Sequence, residues 1–587
     1  MTRFEIVGDE FLLDGEPYRI LSGALHYFRV HPDEWADRIH KAKLMGLNTI
    51  ETYVAWNAHE PNEGDWGMDG SLDFVRFLRL VADEGMYAIV RPGPYICAEW
   101  HNGGLPAWLV SKPGIGLRRS EPQYIAAVTT YLQRVLEQIR PLQIDSGGPV
   151  ILVQIENEYG AYGNDAHYLE TLVSLTRAAG ITVPLTTVDQ PEPDMLAGGS
   201  LPSLLRTASF GSRARERLAT LREHQPTGPL MCSEFWCGWF DYWGGAHHTT
   251  DPVSAAGELE DMLALGASVN FYMFHGGTNV GFTNGANDQG RYEPLVTSYD
   301  YDAPVNEAGE LTEKFWAFRE VIARYASVPD LSPREPERGP ALSVPLEHTV
   351  RFDSVRDLLD ATTSWDTTPT FDDLEYSGAF ALYSTDLRDV PEAATLRFSE
   401  VRDRAQVYAG SHLLGVIARD DTERALTLPA GSYRVDILVE DQGRVNYGPK
   451  LGEPKGLVGP VFVNDEVVRQ WSVNTLPLAA ANWVRSLFTG SLVSSSPSKV
   501  GPFFARAVFD LREPSRLFLD TQGWGKGVAW VNGVNVGRYW HQGPQRTLHI
   551  PPGVTRSGAN ELIIFELERA DVTHVHFVPS LQLGDTE

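Results

Sequence analysis

The residues most able to do chemistry close an apolar run near the middle of the chain. The stretch VILVQIENEYG, residues 150–160, is apolar and β-branched until Gln154 and then presents Glu156, Asn157 and Glu158. If the strand stayed regular to its end, the two glutamates would face the same side, with Glu158 further toward the end of the strand. Spacing therefore leaves both carboxyl groups as candidates and favours Glu158 by position.

A third glutamate ends another apolar run later in the chain. Glu234 closes the strand predicted within GPLMCSEFWCGW, residues 228–239. Paired carboxyl groups on opposite walls of a cleft are what cleavage of a glycosidic bond requires, because one protonates the leaving oxygen while the other attacks the sugar or activates water. We therefore expect Glu234 to pair with a glutamate of the VILVQIENEYG stretch.

Further polar and aromatic side chains follow other apolar runs. Aromatic rings stack on the apolar faces of sugars, while carboxylates and amides bind sugar hydroxyl groups. The set consists of Glu51, Tyr53, Trp56, Asn57, Arg91, Tyr95, Cys97, Glu99, Trp236, Trp239, His275 and Asn279. Such a collection of side chains predicts a carbohydrate site.

The elements that must position these side chains alternate between helix and strand over residues 1–330. Amphipathic helices end at glycine and precede short apolar strands, as in KLMGLNTIETYVAW and RAAGITVPLTTVD. About eight strands in this order predict a (β/α)8 TIM barrel, whose active site forms from the loops that follow the strands. A doubly wound open sheet is the alternative, but no glycine-rich phosphate loop follows the first strand.

One predicted helix shows the pattern clearly. Phe74, Phe77, Leu78 and Val81 recur at the spacing of a single helical face. We expect this face to pack against the barrel.

Beyond about residue 330 the pattern changes to short alternating strands. The segment SVPDLSPREPERGPALS is rich in proline and charge, and it predicts a linker over 331–345. Segments such as SGAFALYSTDL and SYRVDILVE, separated by NG and PG turns, predict two β-sandwich or jelly-roll domains. We assign these domains to residues 346–470 and 471–587.

Composition limits the classes of partner. The chain has 587 residues, a formal net charge of -28 and 43% apolar residues, so it can bury large cores but repels nucleic acid and anionic membrane surfaces. The first residues lack the pattern of a signal peptide, and the three cysteines form no disulfide framework. These features predict a cytoplasmic protein.

No metal site is expected. Cys232 and Cys237 are not spaced like zinc ligands, and His247 and His248 are adjacent in the chain.

Several long motifs resemble those of one enzyme family. WNAHEP, RPGPYICAEWHNGGLPAWL, QIENEYG, SEFWCGWFDYWGG, FYMFHGGTNVGF and SYDYDAPVNEAGELTEKF are similar to successive motifs of family 35 of the glycoside hydrolases, the retaining β-galactosidases. The later segments RVNYGP and GWGKGVAWVNGVNVGRYW resemble that family's accessory β-domains. The resemblance covers nearly the whole chain.

The resemblance implies a role for particular residues. Glu158 would be the acid/base, Glu234 the nucleophile, and Asn157 a hydrogen-bond partner near the sugar 2-hydroxyl. Glu156 is expected to be a buried partner in a polar network. The other galactose contacts implied are Tyr53, Cys97, Ala98, Glu99 and Tyr301, with Tyr299 as the alternative to Tyr301.

The same resemblance implies a substrate class. The aromatic run Trp236, Trp239 and Trp243 looks closer to the compact bacterial enzymes that prefer β-1,3-linked galactosides. By that resemblance Trp239, Trp243 and Tyr447 line the aglycone subsite, and Trp236 is a further substrate-binding residue. The substrate would be a galactoside oligosaccharide, cleaved from its non-reducing end without a metal or organic cofactor. The β-domains could also form the interface of a homodimer.

Two other functions stay open at this point. A related retaining exo-glycosidase, such as a β-glucosidase or an exo-β-glucosaminidase, would use the same mechanism on another sugar. A galactoside-binding protein with an inactive barrel is the non-enzymatic alternative, although the presence of both Glu158 and Glu234 argues against it.

Overall fold

The fold begins with a small sheet and a closed barrel. A computed structural model describes residues 2–332, 337–359, 364–489, 492–494 and 500–586. Strands β1–β3 (Phe4–Val7, Glu10–Leu13 and Glu16–Pro17) form an antiparallel sheet ahead of the barrel. The barrel strands β4–β11 are Leu21–Leu25, Thr49–Tyr53, Tyr87–Arg91, Val150–Gln154, Leu185–Asp189, Leu205–Phe210, Met231–Trp236 and Ser268–His275. All neighbouring pairs among them are parallel, and β10 pairs with both β9 and β11 to close the barrel.

Helices surround the barrel. They are α1–α10, at Trp35–Met45, Trp56–His59, Phe74–Asp83, Ala107–Val110, Pro122–Ile139, Ala166–Ala178, Pro193–Gly198, Ala214–His224, Pro252–Ala264 and Glu313–Ile322. The predicted stripe on α3 is confirmed, because Phe74, Phe77, Leu78 and Val81 are all buried. Gly46 ends α1 with a left-handed φ of 103°, which returns the chain to the sheet. The predicted (β/α)8 barrel is confirmed.

Residues beyond the barrel form all-β structure. A hairpin, β12 and β13 (Ala286–Asp288 and Tyr292–Pro294), lies in the chain between the last barrel strand and the later strands. These later strands, β14–β32, are Leu342–Pro345, His348–Arg351, Ser364–Trp365, Phe380–Val390, Thr395–Arg402, Arg404–Ala409, His412–Ala418, Ala425–Thr427, Gly431–Glu440, Gly456–Val463, Glu466–Val467, Trp471–Thr475, Phe503–Leu511, Leu517–Asp520, Lys526–Val531, Val534–Trp540, Thr547–Ile550, Gly558–Glu566 and His574–Val578. The short helices α11 and α12 are Phe352–Val355 and Ala481–Ser486.

These strands build four sheets in two pairs. The six-stranded sheet β16-β25-β17-β22-β19-β20 and the four-stranded sheet β21-β18-β23-β24 enclose one apolar core, which we call the first β-domain. The sheets β15-β26-β31-β28-β29 and β14-β32-β27-β30 enclose another, which we call the second β-domain. Two all-β domains after a barrel are therefore confirmed as the architecture.

Strand pairing departs from the predicted domain boundaries at two places. Strand β14, inside the predicted linker 331–345, pairs with β32, and β15 pairs with β26, so the chain enters the second β-domain before it builds the first. Strand β25, beyond the predicted boundary at 470, pairs with β17 of the first β-domain. Partners this distant in sequence leave no local signal, because pairing depends on long-range packing rather than composition.

The two β-domains share a third apolar core. Its buried residues include Phe380 and Leu438 from the first β-domain and Phe504 and Phe565 from the second, and the rings of Phe504 and Phe565 stack with centroids 4.3 Å apart. Among the described residues, no helix has the length and apolar character needed to cross a bilayer.

Candidate active site

The end of the fourth barrel strand leaves the regular strand geometry. Strand β7 ends at Gln154, and both Glu156 and Glu158 have left-handed backbone angles, with φ values of 58° and 44°. The regular alternation considered for this stretch is therefore lost. The backbone N–H of Glu158 donates to the Val188 carbonyl at 3.1 Å, and its carboxylate accepts a hydrogen bond from the Ser209 hydroxyl at 2.6 Å.

Glu156 lies in a buried ion pair. Arg118 donates to its two carboxylate oxygens at 3.1 Å and 2.8 Å, and the Tyr168 hydroxyl donates at 2.8 Å. The Asn157 backbone N–H donates to the same carboxylate at 2.7 Å. The interpretation of Glu156 as a buried network partner is confirmed.

Three donors hold Glu234 at the end of β10. The Tyr53 hydroxyl donates to Oε1 at 2.8 Å, Arg91 donates to the same oxygen at 2.6 Å, and the Trp236 indole donates to Oε2 at 3.2 Å. Charge-assisted hydrogen bonds of this kind hold a carboxylate in one orientation. Glu234 thus presents a fixed, buried carboxylate.

Arg91 connects the ends of three barrel strands. Its guanidinium donates to Glu51 at 3.1 Å, to the side-chain oxygen of Asn157 and to Glu234, and it lies 4.1 Å from the centre of the Tyr53 ring. Burial raises the pKa of Glu51 to about 7, although the Arg91 charge opposes this shift. Arg91 therefore fixes the side chains of Asn157 and Glu234 relative to each other.

Glu158 has surroundings that favour its protonated form. Burial raises the pKa of its carboxyl group to about 7, and the charge of Glu234 contributes to this rise, while the hydrogen bond from Ser209 and the charge of Arg91 act against it. A carboxyl group with a pKa near 7 can both release and accept a proton at neutral pH. Glu158 is thus suited to general acid/base catalysis.

The two glutamates line one cavity of about 220 Å³. Its other lining residues are Tyr53, Ile96, Cys97, Ala98, Glu99, Asn157, Gln190, Trp236, Trp239, Phe240, Tyr272, Asn287, Gln289, Tyr301 and Tyr447. The cavity lining includes every catalytic or substrate-binding residue that the family resemblance implied, with two exceptions. These are Trp243 and Tyr299, the alternative to Tyr301.

The wall of the cavity after the third strand has an unusual backbone. Cys97, Ala98 and Glu99 all have left-handed φ values, 55°, 55° and 49°. This conformation is unfavourable for residues other than glycine, so surrounding contacts must maintain it. Arg29 donates to the Ala98 carbonyl at 2.5 Å, and the Gly285 N–H donates to the Glu99 carbonyl at 2.9 Å.

Glu99 and two tyrosines form a buried group at this wall. The Tyr299 hydroxyl donates to Glu99, and the Tyr272 hydroxyl donates to the same oxygen at 3.4 Å. Burial raises the pKa of Glu99. Tyr301 lines the cavity and Tyr299 does not, which favours Tyr301 as the sugar contact.

Trp236 and the aromatic residues implied for the aglycone subsite separate into two groups. Trp236 and Trp239 line the cavity with their rings edge to face at 5.7 Å, and Trp239 is 38% exposed. Tyr447 reaches the same cavity from the first β-domain and accepts a hydrogen bond from Gln190 at 3.5 Å.

Trp243 does not line the cavity, which corrects its assignment to the aglycone subsite. Its backbone N–H donates to the Pro294 carbonyl at 3.0 Å, and its buried indole packs on Trp540 of the second β-domain at 6.5 Å. A tryptophan seven residues beyond the end of a strand has room to turn away from the strand end, and here it joins the barrel to a β-domain.

Sequence reasoning missed several lining residues. Gln190 directly follows β8 and satisfies the same strand-end rule that identified Glu234, so that signal was present. Asn287 and Gln289 belong to the hairpin β12–β13, and no periodicity marks them. Tyr272 lies within β11, where its aromatic neighbours make it resemble a core residue.

A larger cavity of about 480 Å³ lies between the barrel and both β-domains. Most of its lining is apolar, including Phe28, Val280, Phe282, Val536 and Val554. Neither Glu158 nor Glu234 lines this larger cavity. The candidate active site is therefore the smaller cavity, which both glutamates line.

Comparisons with known proteins assign three regions of the chain to known domain families. Residues 10–325 match the profile of the glycosyl hydrolases family 35, residues 369–478 match the first all-β domain of β-galactosidase, and residues 502–560 match its galactose-binding domain.

Curated relatives match over nearly the whole chain. A β-galactosidase from Xanthomonas manihotis is 38% identical over 94% of this chain and 92% of its own, and one from Bos taurus is 39% identical over 96% and 90%. A β-galactosidase-1-like protein from Mus musculus is 40% identical over 95% of this chain and 88% of its own. The chain therefore belongs to family 35 of the glycosyl hydrolases.

Proposed function

We propose that this glycoside hydrolase is an exo-acting, retaining β-galactosidase. The observation that carries the proposal is the pairing, in one enclosed cavity, of a carboxylate held by three donors with a carboxyl group whose pKa is raised to about 7. The choice of galactose as the sugar is supported by the relatives named β-galactosidase. A cavity of about 220 Å³ suits a terminal sugar residue better than the middle of a chain.

The reaction proceeds by double displacement. Glu234 attacks the anomeric carbon and forms a glycosyl ester while Glu158 donates its proton to the leaving oxygen, which departs with the bonding electrons as an alcohol. Glu158 then removes a proton from water, the water oxygen attacks the same carbon, and the ester bond to Glu234 breaks. Two inversions release galactose with its β configuration retained.

The surrounding residues assist each step. Arg91 and Tyr53 donate to the Glu234 carboxylate and keep it aimed at the sugar. We assign to Asn157 a hydrogen bond to the sugar near its 2-hydroxyl, and the hydrogen bond that its side-chain oxygen accepts from Arg91 supports this role by fixing the side chain. Loss of the negative charge on Glu234 in the glycosyl-enzyme lowers the pKa of Glu158, so that Glu158 becomes a base when water must be activated.

Sugar selectivity is tested with a panel of nitrophenyl β-glycosides. The galactoside should have the highest kcat/KM, and equal or faster turnover of the glucoside or glucosaminide would favour a related exo-glycosidase instead. NMR of the first-formed anomer should show β-galactose, whereas α-galactose would indicate inversion.

The nucleophile is tested with Glu234→Gln. We expect kcat to fall by about 10⁴-fold or more, with galactose binding still detectable by calorimetry. Full activity of this variant would assign the nucleophile elsewhere. A wild-type protein that binds galactosides but cleaves none would instead be a binding protein.

We also propose a preference for β-1,3-linked substrates, a cytoplasmic location and a homodimer. The cavity-lining Trp236, Trp239 and Tyr447 support the first, and the three free, buried cysteines are compatible with a reducing compartment. Turnover of β-1,3-, β-1,4- and β-1,6-linked disaccharides tests the linkage preference. Cell fractionation tests the location, and light scattering tests the homodimer.

A further inference from the structure

The larger cavity, of about 480 Å³, and the candidate active site have no lining residue in common among the described residues. Its wall includes Phe28 from the barrel, Val280 and Phe282 from the loop after β11, and Val536 and Val554 from the second β-domain. Small-molecule sites have volumes of about 300–1,000 Å³, and apolar walls favour an apolar occupant. The cavity is therefore a candidate for a second binding site.

Polar side chains from two domains meet on one part of this wall. Arg38 donates to the Glu34 carboxylate at 2.9 Å and to the His275 ring at 3.4 Å, and both acceptors line the cavity. The His275 ring also donates to the backbone carbonyl two residues before Glu307, which lines the cavity as well. The charge of Glu34 acts on His549 of the second β-domain. These residues give a mostly apolar cavity one polar end.

Two polar atoms at this end have no hydrogen-bond partner within the part of the chain that the structure describes. They are Oε2 of Glu307 and Nε2 of His549, residues that are only 1% and 5% exposed and that line the cavity. The other carboxyl oxygen of Glu307 accepts a hydrogen bond from the Thr278 hydroxyl at 2.6 Å. A buried polar atom without a partner costs free energy, which a ligand that pairs with it recovers.

The protonation of the polar end favours a neutral head group. Burial raises the pKa of Glu307 to about 8, although neighbouring hydroxyl groups act in the opposite direction, so its carboxyl group is mostly protonated at neutral pH. Burial lowers the pKa of His549 to about 4, so its imidazole is uncharged there. The charge of Glu34 is balanced by Arg38. A hydroxyl group both donates and accepts, so it can pair with a protonated carboxyl group and with a neutral imidazole.

We propose that this cavity is a second binding site, for a neutral apolar alcohol whose hydroxyl group pairs with Glu307 and His549 while its hydrocarbon body packs on the apolar wall. The site is distinct from the proposed hydrolysis, because neither Glu158 nor Glu234 lines the cavity. Ser377 and Ala479 of the first β-domain line it together with residues of the barrel and the second β-domain. The bound alcohol therefore contacts all three domains.

The test measures the binding of 1-octanol to the full chain by calorimetry at neutral pH, with octylamine and octanoate as probes of the same chain length. Octanol should bind about tenfold more tightly than either charged probe, because a buried charge without a counter-charge is costly. Octanol should also bind in saturating galactose, since the two cavities are separate. Absence of octanol binding, tighter binding of a charged probe, or displacement of octanol by galactose would overturn the proposal.

Val280→Trp tests the location of the site. Val280 lines the cavity and is 39% exposed, so a larger side chain can occupy the cavity without disturbing the packed core. Octanol affinity should fall about tenfold or more, because the indole takes the apolar volume that the hydrocarbon chain needs. Val253→Trp, on α9 at a valine that is 77% exposed, is the matched control and should bind octanol like the wild type. Equal affinities of the two variants would place octanol elsewhere and overturn the site.

His549→Phe tests the contact with the hydroxyl group. Phenylalanine keeps a flat ring and removes the nitrogen without a partner, so stability in urea should not fall while octanol affinity falls about fivefold. His576→Phe, at an exposed position on β32 of the same domain, is the control and should leave the affinity unchanged.

Wild-type octanol affinity in His549→Phe would overturn the proposed hydroxyl contact. Calorimetry of octanol binding does not depend on turnover, so its outcome is separate from that of the proposed function. Failure of the wild-type protein to cleave galactosides would contradict the proposed function alone.

Discussion

Glu158 and Glu234 carry the same functional group in different surroundings. Glu234 receives hydrogen bonds from Tyr53, Arg91 and Trp236, whereas Glu158 receives one from Ser209 in a site where burial dominates. The environment of a carboxyl group, rather than its chemistry, decides whether it serves as nucleophile or acid. This contrast predicts a specific dependence on pH.

Ser209→Ala should move the alkaline limb of the pH profile to higher pH. In the wild type, kcat/KM for a galactosyl disaccharide should fall as pH rises through about 7, because ionised Glu158 cannot protonate the leaving oxygen. The Ser209 hydroxyl donates to the charged form and lowers the pKa of Glu158, so its removal raises that pKa.

The experiment measures kcat/KM against pH with a disaccharide, whose poor leaving group needs the acid. Ser174→Ala, on the exposed face of α6, is the control and should leave the limb in place. A limb that stays fixed or moves to lower pH in Ser209→Ala would contradict the role of Glu158 as the titrating acid.

At the scale of elements, the irregular end of β7 depends on a brace from the loop before α5. Arg118 pairs with Glu156 and also donates to the Asn157 carbonyl at 2.6 Å. Its guanidinium lies 3.7 Å from the centre of the Tyr95 ring. The brace therefore maintains the two left-handed residues that bring Glu158 into the cavity.

Arg118→Met should destabilise the barrel. The substitution leaves the Glu156 carboxylate buried without its counter-charge, which costs about 3–5 kcal/mol in the free energy of unfolding. Urea denaturation followed by tryptophan fluorescence measures the change. Arg119→Met, at the exposed neighbouring position, serves as control, and equal stabilities of the two variants would contradict the structural role of the ion pair.

At the scale of the whole molecule, buried charges join the barrel to the first β-domain. Lys455 is fully buried and pairs with Asp403 at 2.6 Å and Asp441 at 3.4 Å. Burial alone would raise the pKa of Asp441, but the charge of Lys455 and the contact with His101 outweigh it, and the pKa lies well below its ordinary value. His101 belongs to the barrel and lies 3.2 Å from the Asp441 carboxylate.

Lys455→Met should make the protein more sensitive to acid. A carboxyl group with a depressed pKa contributes stability above its unfolded pKa and loses that contribution as pH falls through its folded pKa. Without Lys455, Asp441 is protonated at higher pH, so acid unfolding should begin at higher pH than in the wild type. Fluorescence during acid titration measures the onset.

Lys112→Met provides the comparison, because Lys112 pairs with Glu63 in a more exposed part of the barrel. That variant should unfold at the wild-type pH. An identical onset for Lys455→Met and the wild type would show that the junction does not limit acid stability.

Much of the barrel could be read from local patterns. The stripe on α3 and the glycine after α1 reflect interactions within a few residues, and such interactions leave a periodic trace in the sequence. The strand-end rule likewise identified Glu234, and it applies equally to Gln190. Family motifs then favoured Glu158 over Glu156, a choice that spacing had left open.

Contacts between distant segments left no such trace. Three such contacts join residues far apart in the chain. Strand β14 pairs with β32, Trp243 packs on Trp540, and the hairpin β12–β13 packs on the first β-domain. Each depends on the shape and charge of surfaces that exist only after the domains have folded.

The division between the two kinds of information has one physical basis. Periodicity and turn chemistry act over a few residues, so the chain alone specifies its barrel, its all-β region and the glutamates that end its strands. Only the tertiary structure shows three further features. These are the left-handed backbone of Glu156 and Glu158, the hydrogen bond from Arg91 to Glu234, and the position of Tyr447 in the cavity lining. Those features depend on burial and on charges brought together from separate elements, and only the folded molecule supplies them.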